Sequence, residues 1–309
     1  MKRNLFLVFL LILTLLSSCT KYYKIDGFAQ GTSYHITYGV RDSINYQPQI
    51  DSILNRIDQS LSTYVPESVI SKINSNEDLY TDPLFEEVFE ISKEINEISE
   101  GAFDLTVMPL VNAWGFGPGD KRDVDSLLID SIMTYVGMEK VKIRQGKLIK
   151  DNPGVTIDVN AIAQGYSVDI IAEWLDNQGV KNYMVELGGE IRTRGKNPSG
   201  LTWRIGIDKP EFGNMIPGQK LKAIVTLSGK SLATSGNYRR YFEKDGIKYT
   251  HTINPSTGYP SRQNILSATI ITKECVQADA IATACMVMGL DKSKNFLRTL
   301  NKSEAYIIY

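Results

Sequence analysis

The chain has 309 residues, with 34 Lys+Arg against 35 Asp+Glu, a net charge of −1 and 42% hydrophobic residues. That length supplies a sizeable core for one large domain or two modest ones. The balanced charge argues against a nucleic-acid partner, which would need a basic stripe.

Residues 1–19 stand apart from the fold. Met1-Lys2-Arg3 is a short basic start, and the apolar run from Leu5 to Leu16 is too short to cross a bilayer as a finished helix. Leu16-Ser17-Ser18-Cys19 resembles a bacterial lipobox, after which Cys19 would be lipidated and become the mature N-terminus. An ordinary secretory signal is the other reading. The expected organisation is a lipoprotein signal peptide at 1–19, a polar tether at 20–27 and one domain at 28–309.

Within that domain, Tyr34, Ile36 and Tyr38 alternate with polar neighbours, which predicts a strand after the Gly31 turn. Ile50, Ile53, Leu54, Ile57 and Leu61 recur at helical spacing, and Pro66 stops that helix. Asp82-Pro83 supplies an N-cap carboxylate and an N1 proline for a second helix, with Gly101 as its C′ residue. Its buried stripe is Leu84, Phe85, Val88, Ile91, Ile95 and Ile98. The stretch GAFDLTVMPLVNAWGFGPGD reads as a long glycine-rich loop of the kind that is often functional. A short helix near 126–135, a hairpin turning at Gln145-Gly146 and a strand at 155–159 come next. A turn at Asn160 leads into a helix ending at Gly179. Strands NYMVEL, EIRTRG, WRIGID and KAIVTLSG precede a hairpin turning at Asp245-Gly246, and ILSATIIT is a further strand. Helices over 275–289 and 292–300 and a final strand EAYIIY complete the chain. Hairpins mixed with helices predict an α+β fold with a mixed, largely antiparallel sheet and packed helices.

The segment 275–289 is apolar almost all round, so its helix should be buried. Asp279 and Thr283 break the pattern four residues apart, hence on one face. A buried carboxylate is costly unless paired or bound to a cation, and a carboxylate with a hydroxyl is a hard-oxygen set suited to Mg²⁺. The residues alone leave a local alternative open, with Asp279 capping a nearby amide and Thr283 bonding its i−4 carbonyl. Cys275 and Cys285 lie about 15 Å apart along the helix axis, too far to pair, and are expected in the core. Polar–glycine clusters mark places where backbone can approach a ligand. They are Gln30-Gly31-Thr32, Ser62-Thr63-Tyr64, Ala102-Phe103-Asp104, Asp158 to Gly165, Glu186 to Glu190, Ser235-Gly236 and His251 to Gly258. There is no Walker A sequence, no GxGxxG between strand and helix and no GxSxG elbow. His35 alternates within a strand as a structural residue, whereas His251 precedes a hydroxyl-rich turn that suits a general base or a phosphate contact.

Taken in chain order, QGTSY, LSTYVPES, GAFDLTVMPLVNAWGFG, DVNAIAQGYSVD, ELGGEI, GKNPSG, LATSGNY, HTINPSTGYP and ADAIATACMVMG resemble the ApbE family of FAD:protein FMN transferases. The resemblance covers nearly all of the mature chain. It implies a T-fold-related architecture, Mg²⁺ and FAD as cofactor and substrate, and a membrane-anchored lipoprotein facing the periplasm from the inner membrane. It implies Asp279, Thr283 and the backbone carbonyl of Ala161 as metal ligands. Tyr64, Ala102, Phe103, Asp104, Asp158, Gln164 and Ile253 match FAD-contacting positions, as does Gln30, where the family often has Met. Gln164 stands where Lys or Glu is common, Asn160-Ala161 replaces a frequent Gly-Gly, and Ala282 sits where some members add an Asp ligand. These departures bear on metal affinity and on the grip on the diphosphate.

The implied reaction moves FMN from FAD to a threonine hydroxyl of a target flavoprotein subunit, such as one in an ion-pumping redox complex, and releases AMP. His251 is the candidate proton acceptor and Asp158 the second. Tyr64, Phe103 and Trp114 are candidates either for stacking on flavin or adenine or for the core. An FAD pyrophosphatase and a non-catalytic FAD-binding lipoprotein are the alternatives.

Overall fold

The computed structural model describes residues 20–42, 44–119, 122–211, 218–238, 241–244 and 247–309. The expected signal peptide with Cys19, and the Asp245-Gly246 turn, lie outside the described residues.

Strands β1 (Lys21–Ala29) and β2 (Thr32–Val40) form the first hairpin, with Gln30 and Gly31 at φ of 51° and 72°. Two left-handed residues in a two-residue loop match the twist of the strands they join. Residues 20–27, expected as a tether, are instead mostly strand, because β1 pairs with β2 from Lys21 to Ala29. The segment has its own inward face: Ile25 is buried, and Tyr23 stacks on Tyr38 at 5.8 Å.

Three hairpins lie outside the main sheet, among them β3 (Val141–Arg144) with β4 (Lys147–Lys150) and β10 (Tyr241–Lys244) with β11 (Ile247–Thr250). Strands β5 (Asn182–Leu187), β6 (Glu190–Arg194), β9 (Ser231–Gly236), β12 (Ser267–Thr272) and β13 (Glu304–Ile308) join the first two strands. The result is a seven-stranded sheet in the order β1-β2-β5-β6-β9-β12-β13, every neighbouring pair antiparallel. Eight α-helices occur among the described residues. They are α1 (Gln47–Leu61), α2 (Val69–Ser75), α3 (Pro83–Ile98), α4 (Met108–Ala113), α5 (Ser126–Met133), α6 (Ala163–Asn177), α7 (Cys275–Met288) and α8 (Leu290–Thr299).

Alternation in the strands puts Tyr34, Ile36, Tyr38, Tyr183, Val185 and Leu187 into one core with the helices. Ile50 and Ile57 of α1, Phe85 and Val88 of α3, Val168 and Ile171 of α6, and Ala278 and Ala282 of α7 fill it. On a second patch of sheet, Ile191, Leu232 and Ile271 pack under Trp203, Ile205 and Leu227 of the hairpin β7 (Trp203–Asp208) and β8 (Leu221–Leu227). The fold is the expected α+β arrangement with a largely antiparallel sheet.

Local signals account for several helix starts. Asp82 accepts from Phe85 N at 2.8 Å, with Pro83 next to it, as the sequence predicts for α3. Ser68 accepts from Ser71 N at 3.1 Å and starts α2, a helix that apolar spacing alone does not reveal. The stretch expected as a long loop contains α4 and a 3-10 turn over Leu105–Val107. Leu110, Ala113 and Trp114 there build a second small core with Ile129, Ile132 and Ile253.

Segment 155–159, expected as a strand, joins no sheet. Its alternation is real, since Val155, Ile157 and Val159 are all buried. Its backbone partners lie elsewhere: Asn74 holds both polar groups of Ile157, at 2.7 and 2.9 Å, and Asp158 N donates to Leu105 O at 2.7 Å. A side-chain amide here takes the place of a neighbouring strand. Cys275 and Cys285 are both free and buried, as expected.

Candidate functional site

Helix α7 has no polar face, so burial is its default, and Asp279 goes inside with it at 6% exposed. Burial pushes its carboxyl up to about 7, partly offset by a hydrogen bond from Gly165 N to Asp279 Oδ2 at 3.1 Å. Gly165 is the third residue of α6, whose N-cap is Ile162, so its amide is one of the helix-start donors that have no partner within the helix. Asp279 satisfies that donor from α7, and the Ala161 carbonyl, which precedes the helix, accepts no hydrogen bond among the described residues. Only glycine permits the approach: a Cβ at Gly165 would stand 2.7 Å from Cys275 O and 2.8 Å from Asp279 Cβ. One turn further along α7, Thr283 Oγ1 and Ser235 Oγ lie 3.1 Å apart.

The β1–β2 turn reaches this wall. Gln30 Nε2 donates to Ser167 Oγ at 2.8 Å, and Gln164 Nε2 donates to Gln30 O at 3.4 Å. Gln30 Oε1 is buried without a hydrogen-bond partner. Gly188, at φ 65°, opens the β5–β6 turn beside Gln164 and Thr32. Gln30, Gln164, Ala161, Asp279 and Thr283 are thus gathered around the N-terminal end of α6 and the middle of α7.

A second group forms a scaffold. Asp104 Oδ1 accepts from Thr106 N at 2.7 Å and Thr106 Oγ1 at 2.5 Å, while Oδ2 accepts from Met138 N at 3.2 Å. Burial raises its pKa, and these donors counter the shift. The Asp104 carboxylate is therefore committed to holding the 104–107 turn against Gly137-Met138. Phe103 is buried at 2% exposure, so its ring belongs to the core and is not available to stack on a ligand. Its carbonyl accepts from Asn96 Nδ2 at 2.7 Å and its amide donates to Ser99 Oγ at 3.1 Å. Ala102 beside it is half-buried. Asp158 Oδ1 accepts from Asn160 N at 2.8 Å, and burial raises its pKa against that bond. Tyr64 is 63% exposed, free to meet a ligand or partner.

His251 and Ile253 lie at the second core. Ile253 is buried there and bridges Pro260, closing the turn between them. Trp114 Nε1 donates to Gly258 O at 2.8 Å, while its ring stacks on Tyr249 at 5.5 Å and tilts against Tyr259 at 5.7 Å. Phe116 meets the His251 ring edge-on at 6.4 Å. Trp114 is thus a fastener of the histidine turn rather than an open stacking surface.

The family model for the ApbE family matches residues 30–307. The chain belongs to the ApbE family. A Vibrio cholerae FAD:protein FMN transferase is 38% identical over 298 residues, covering 93% of this chain and 88% of that one. The Escherichia coli K12 protein of the same name is 33% identical over 286 residues, covering 89% and 80%. Among solved structures, the flavin transferase ApbE from Vibrio cholerae superposes with a TM-score of 0.84 at 34% identity, over 94% of each chain. The apo flavinyl transferase ApbE of Pseudomonas stutzeri gives 0.83 at 32% identity, over 93% and 91%. The chain is therefore an ApbE-family enzyme.

The donor chemistry fits a hard divalent cation. Asp279 Oδ1 and the Ala161 carbonyl have no hydrogen-bond partner among the described residues, and Thr283 adds a hydroxyl. No group of three His, Cys, Asp or Glu residues suited to a metal occurs among the described residues. Ser235 and Gly165 are the partners that the sequence did not single out individually. Their signal was weak: both sit inside ordinary Gly-containing turns, and each acquires meaning only from α7 packing against it.

Proposed function

We propose that this enzyme transfers FMN from FAD to a threonine hydroxyl of a target protein, with Mg²⁺ as cofactor and AMP as leaving group. The observation that carries the reading is the buried Asp279 carboxylate, whose Oδ2 takes the Gly165 amide while Oδ1, like the Ala161 carbonyl before α6, accepts no hydrogen bond among the described residues. Relatives from Vibrio cholerae, Haemophilus influenzae and Escherichia coli carry the name FAD:protein FMN transferase.

In this reading Asp279, Thr283 and the Ala161 carbonyl would hold the ion. Mg²⁺, when bound, neutralises charge on the diphosphate. The remaining work is positioning. Gln30 and Gln164 line the α6 end and offer side-chain amide groups to FAD, while the Gly188 and Gly189 amides hold their own turn through Ser33 O and Glu186 Oε1. The target threonine oxygen forms a bond to the FMN phosphorus. The P–O bond to AMP breaks, and AMP leaves with its electron pair. His251 takes the hydroxyl proton, with Asp158 as the second candidate. His251 is favoured because the chain has two histidines and His35 is tied to Asp26 at 2.5 Å. A solved Vibrio cholerae ApbE variant replaces a histidine by glycine, which marks a histidine of that enzyme as worth removing.

We also propose that Cys19 carries a lipid anchor that holds the enzyme to the inner membrane on its periplasmic side. There it would meet extracytoplasmic subunits of redox-driven ion pumps. The basic start, short apolar run and Ser-Ser-Cys end of residues 1–19 support this. Among the described residues no helix is long and apolar enough to cross a membrane. Cys19→Ser should move the protein from the membrane to the soluble fraction.

The test of activity mixes the polypeptide after Cys19 with FAD, Mg²⁺ and a flavoprotein subunit bearing a candidate threonine. A fluorescent protein band in a denaturing gel is expected. Free FMN and AMP without labelled protein would mean hydrolysis instead, and intact FAD would leave binding alone.

A further inference from the structure

Helix α7 carries two of the three proposed ligands, yet its own N-cap residue, Glu274, makes no side-chain capping bond. The amides at its start are satisfied from another helix. Asp169, on α6 and 4% exposed, accepts from Cys275 N through Oδ1 at 2.9 Å and from Val276 N through Oδ2 at 2.8 Å. A carboxylate at a helix N-terminus is favoured by both hydrogen bonding and the helix dipole. Arg192 of β6, itself 14% exposed at the side chain, closes the arrangement with Nη1 at 2.6 Å from Asp169 Oδ1.

Asp169 stands one helical turn after Gly165, and Asp279 one turn after Cys275, so α6 grips α7 at two successive levels. At one level the Gly165 amide meets Asp279. At the other the Asp169 carboxylate meets the Cys275 and Val276 amides. Two polar ties about one turn apart fix both the slide of α7 along α6 and its rotation. One tie alone leaves a pivot.

We propose that Asp169, neutralised by Arg192, is a positioning residue that sets the register of α7 against α6 and thereby sets Asp279 and Thr283 opposite the Ala161 carbonyl. It touches neither substrate nor metal. The inference rests on the Mg²⁺ reading above.

The test uses the full-length protein in detergent, with Mn²⁺ as a paramagnetic stand-in for Mg²⁺, read by electron paramagnetic resonance without FAD. In Asp169→Asn the side chain keeps one acceptor and turns an NH₂ toward an amide that it can no longer satisfy. Loss of an outer partner of a metal ligand typically weakens metal binding by about 10–100-fold, and a rise of at least about tenfold in the Mn²⁺ dissociation constant is expected. Arg192→Lys retains the charge and shortens the reach, and a rise of about threefold or more is expected. Val88→Ala, a cavity in the fully buried core of α3, serves as a control for general loosening. It should lower the melting temperature without moving the Mn²⁺ constant. Saturating Mg²⁺ should return kcat of Asp169→Asn to within about twofold of the parent, since mass action refills a displaced site. An unchanged Mn²⁺ constant in folded Asp169→Asn would overturn the proposal, and so would an equal weakening in Val88→Ala. If Asp169→Asn does not fold, Arg192→Lys decides by the same criterion. A parent protein that transfers flavin without binding Mn²⁺ or Mg²⁺ would instead overturn the metal reading itself, and this inference with it.

Discussion

Replacing Gly165 by alanine asks how tightly the α6–α7 contact is built. The added methyl would meet Cys275 O at 2.7 Å, Asp279 Cβ at 2.8 Å and Cys275 C at 3.0 Å. Ordinary contact begins near 3.4 Å, so α7 must retreat by about 0.7 Å from Cys275 O at 2.7 Å, because its backbone and a Cβ have no rotamer to escape into. Overpacking of this kind costs about 1–3 kcal/mol. The same retreat stretches the Gly165 N to Asp279 Oδ2 bond beyond 3.1 Å and out of hydrogen-bonding range, and a bond to a charged group is worth about 1.5–3 kcal/mol. Alanine returns about 1 kcal/mol through helix propensity. The net loss is about 2–5 kcal/mol, a drop of roughly 4–10 °C in Tm for a chain of this size. Differential scanning calorimetry measures the first effect, and the Mg²⁺ concentration for half-maximal flavin transfer measures the second, expected to rise about tenfold or more. A Gly165→Ala protein with parental Tm and parental Mg²⁺ dependence would refute the reasoning, because the helices would then have slack where none is drawn.

Asp279→Asn should abolish transfer while holding or raising Tm in the absence of metal, because it removes a costly buried charge; calorimetry beside the gel assay separates the two effects. Trp114→Phe keeps most of the ring packing but leaves Gly258 O without its donor at 2.8 Å. A loss of about 1–3 kcal/mol and a lowered kcat are expected, with KM for FAD much less affected, as steady-state transfer kinetics would report. Glu186 is held above the usual carboxylate range by burial, with Gly189 N countering the shift and Oε2 buried unpaired. A raised folded-state pKa means that the native state holds the proton longer, so stability falls as pH rises from the ordinary glutamate range through the raised value. Glu186→Gln should flatten that fall, seen as a smaller Tm difference between pH 5 and pH 8.

Much of the frame was legible before any coordinates. Asp82-Pro83, Gln145-Gly146 and the alternation of Tyr34, Ile36 and Tyr38 each specify a local conformation through caps, turn geometry or a period of two. Where neighbours in sequence do not decide, the reading failed. The 20–27 stretch looked like a tether because only Ile25 is fully buried, and its strand exists because β2 offers a partner. The 155–159 stretch has the right alternation, but Asn74 and Leu105 take its backbone bonds first. Phe103 could not be sorted into ligand surface or core from its loop, since burial depends on what folds over it.

The helix over 275–289 divides along the same line. Its own residues determine its state: no polar face, hence burial, and a carboxylate and a hydroxyl sharing one side. Nothing in those residues says what Asp279 meets. That is decided by Gly165, 114 residues away, whose missing side chain lets α7 come close enough for the unpaired amide at the start of α6 to reach the carboxylate. Secondary structure follows from interactions within a few residues, which sequence spacing encodes directly. A site follows from which distant groups are left unsatisfied when helices pack, and only the packed structure contains that information.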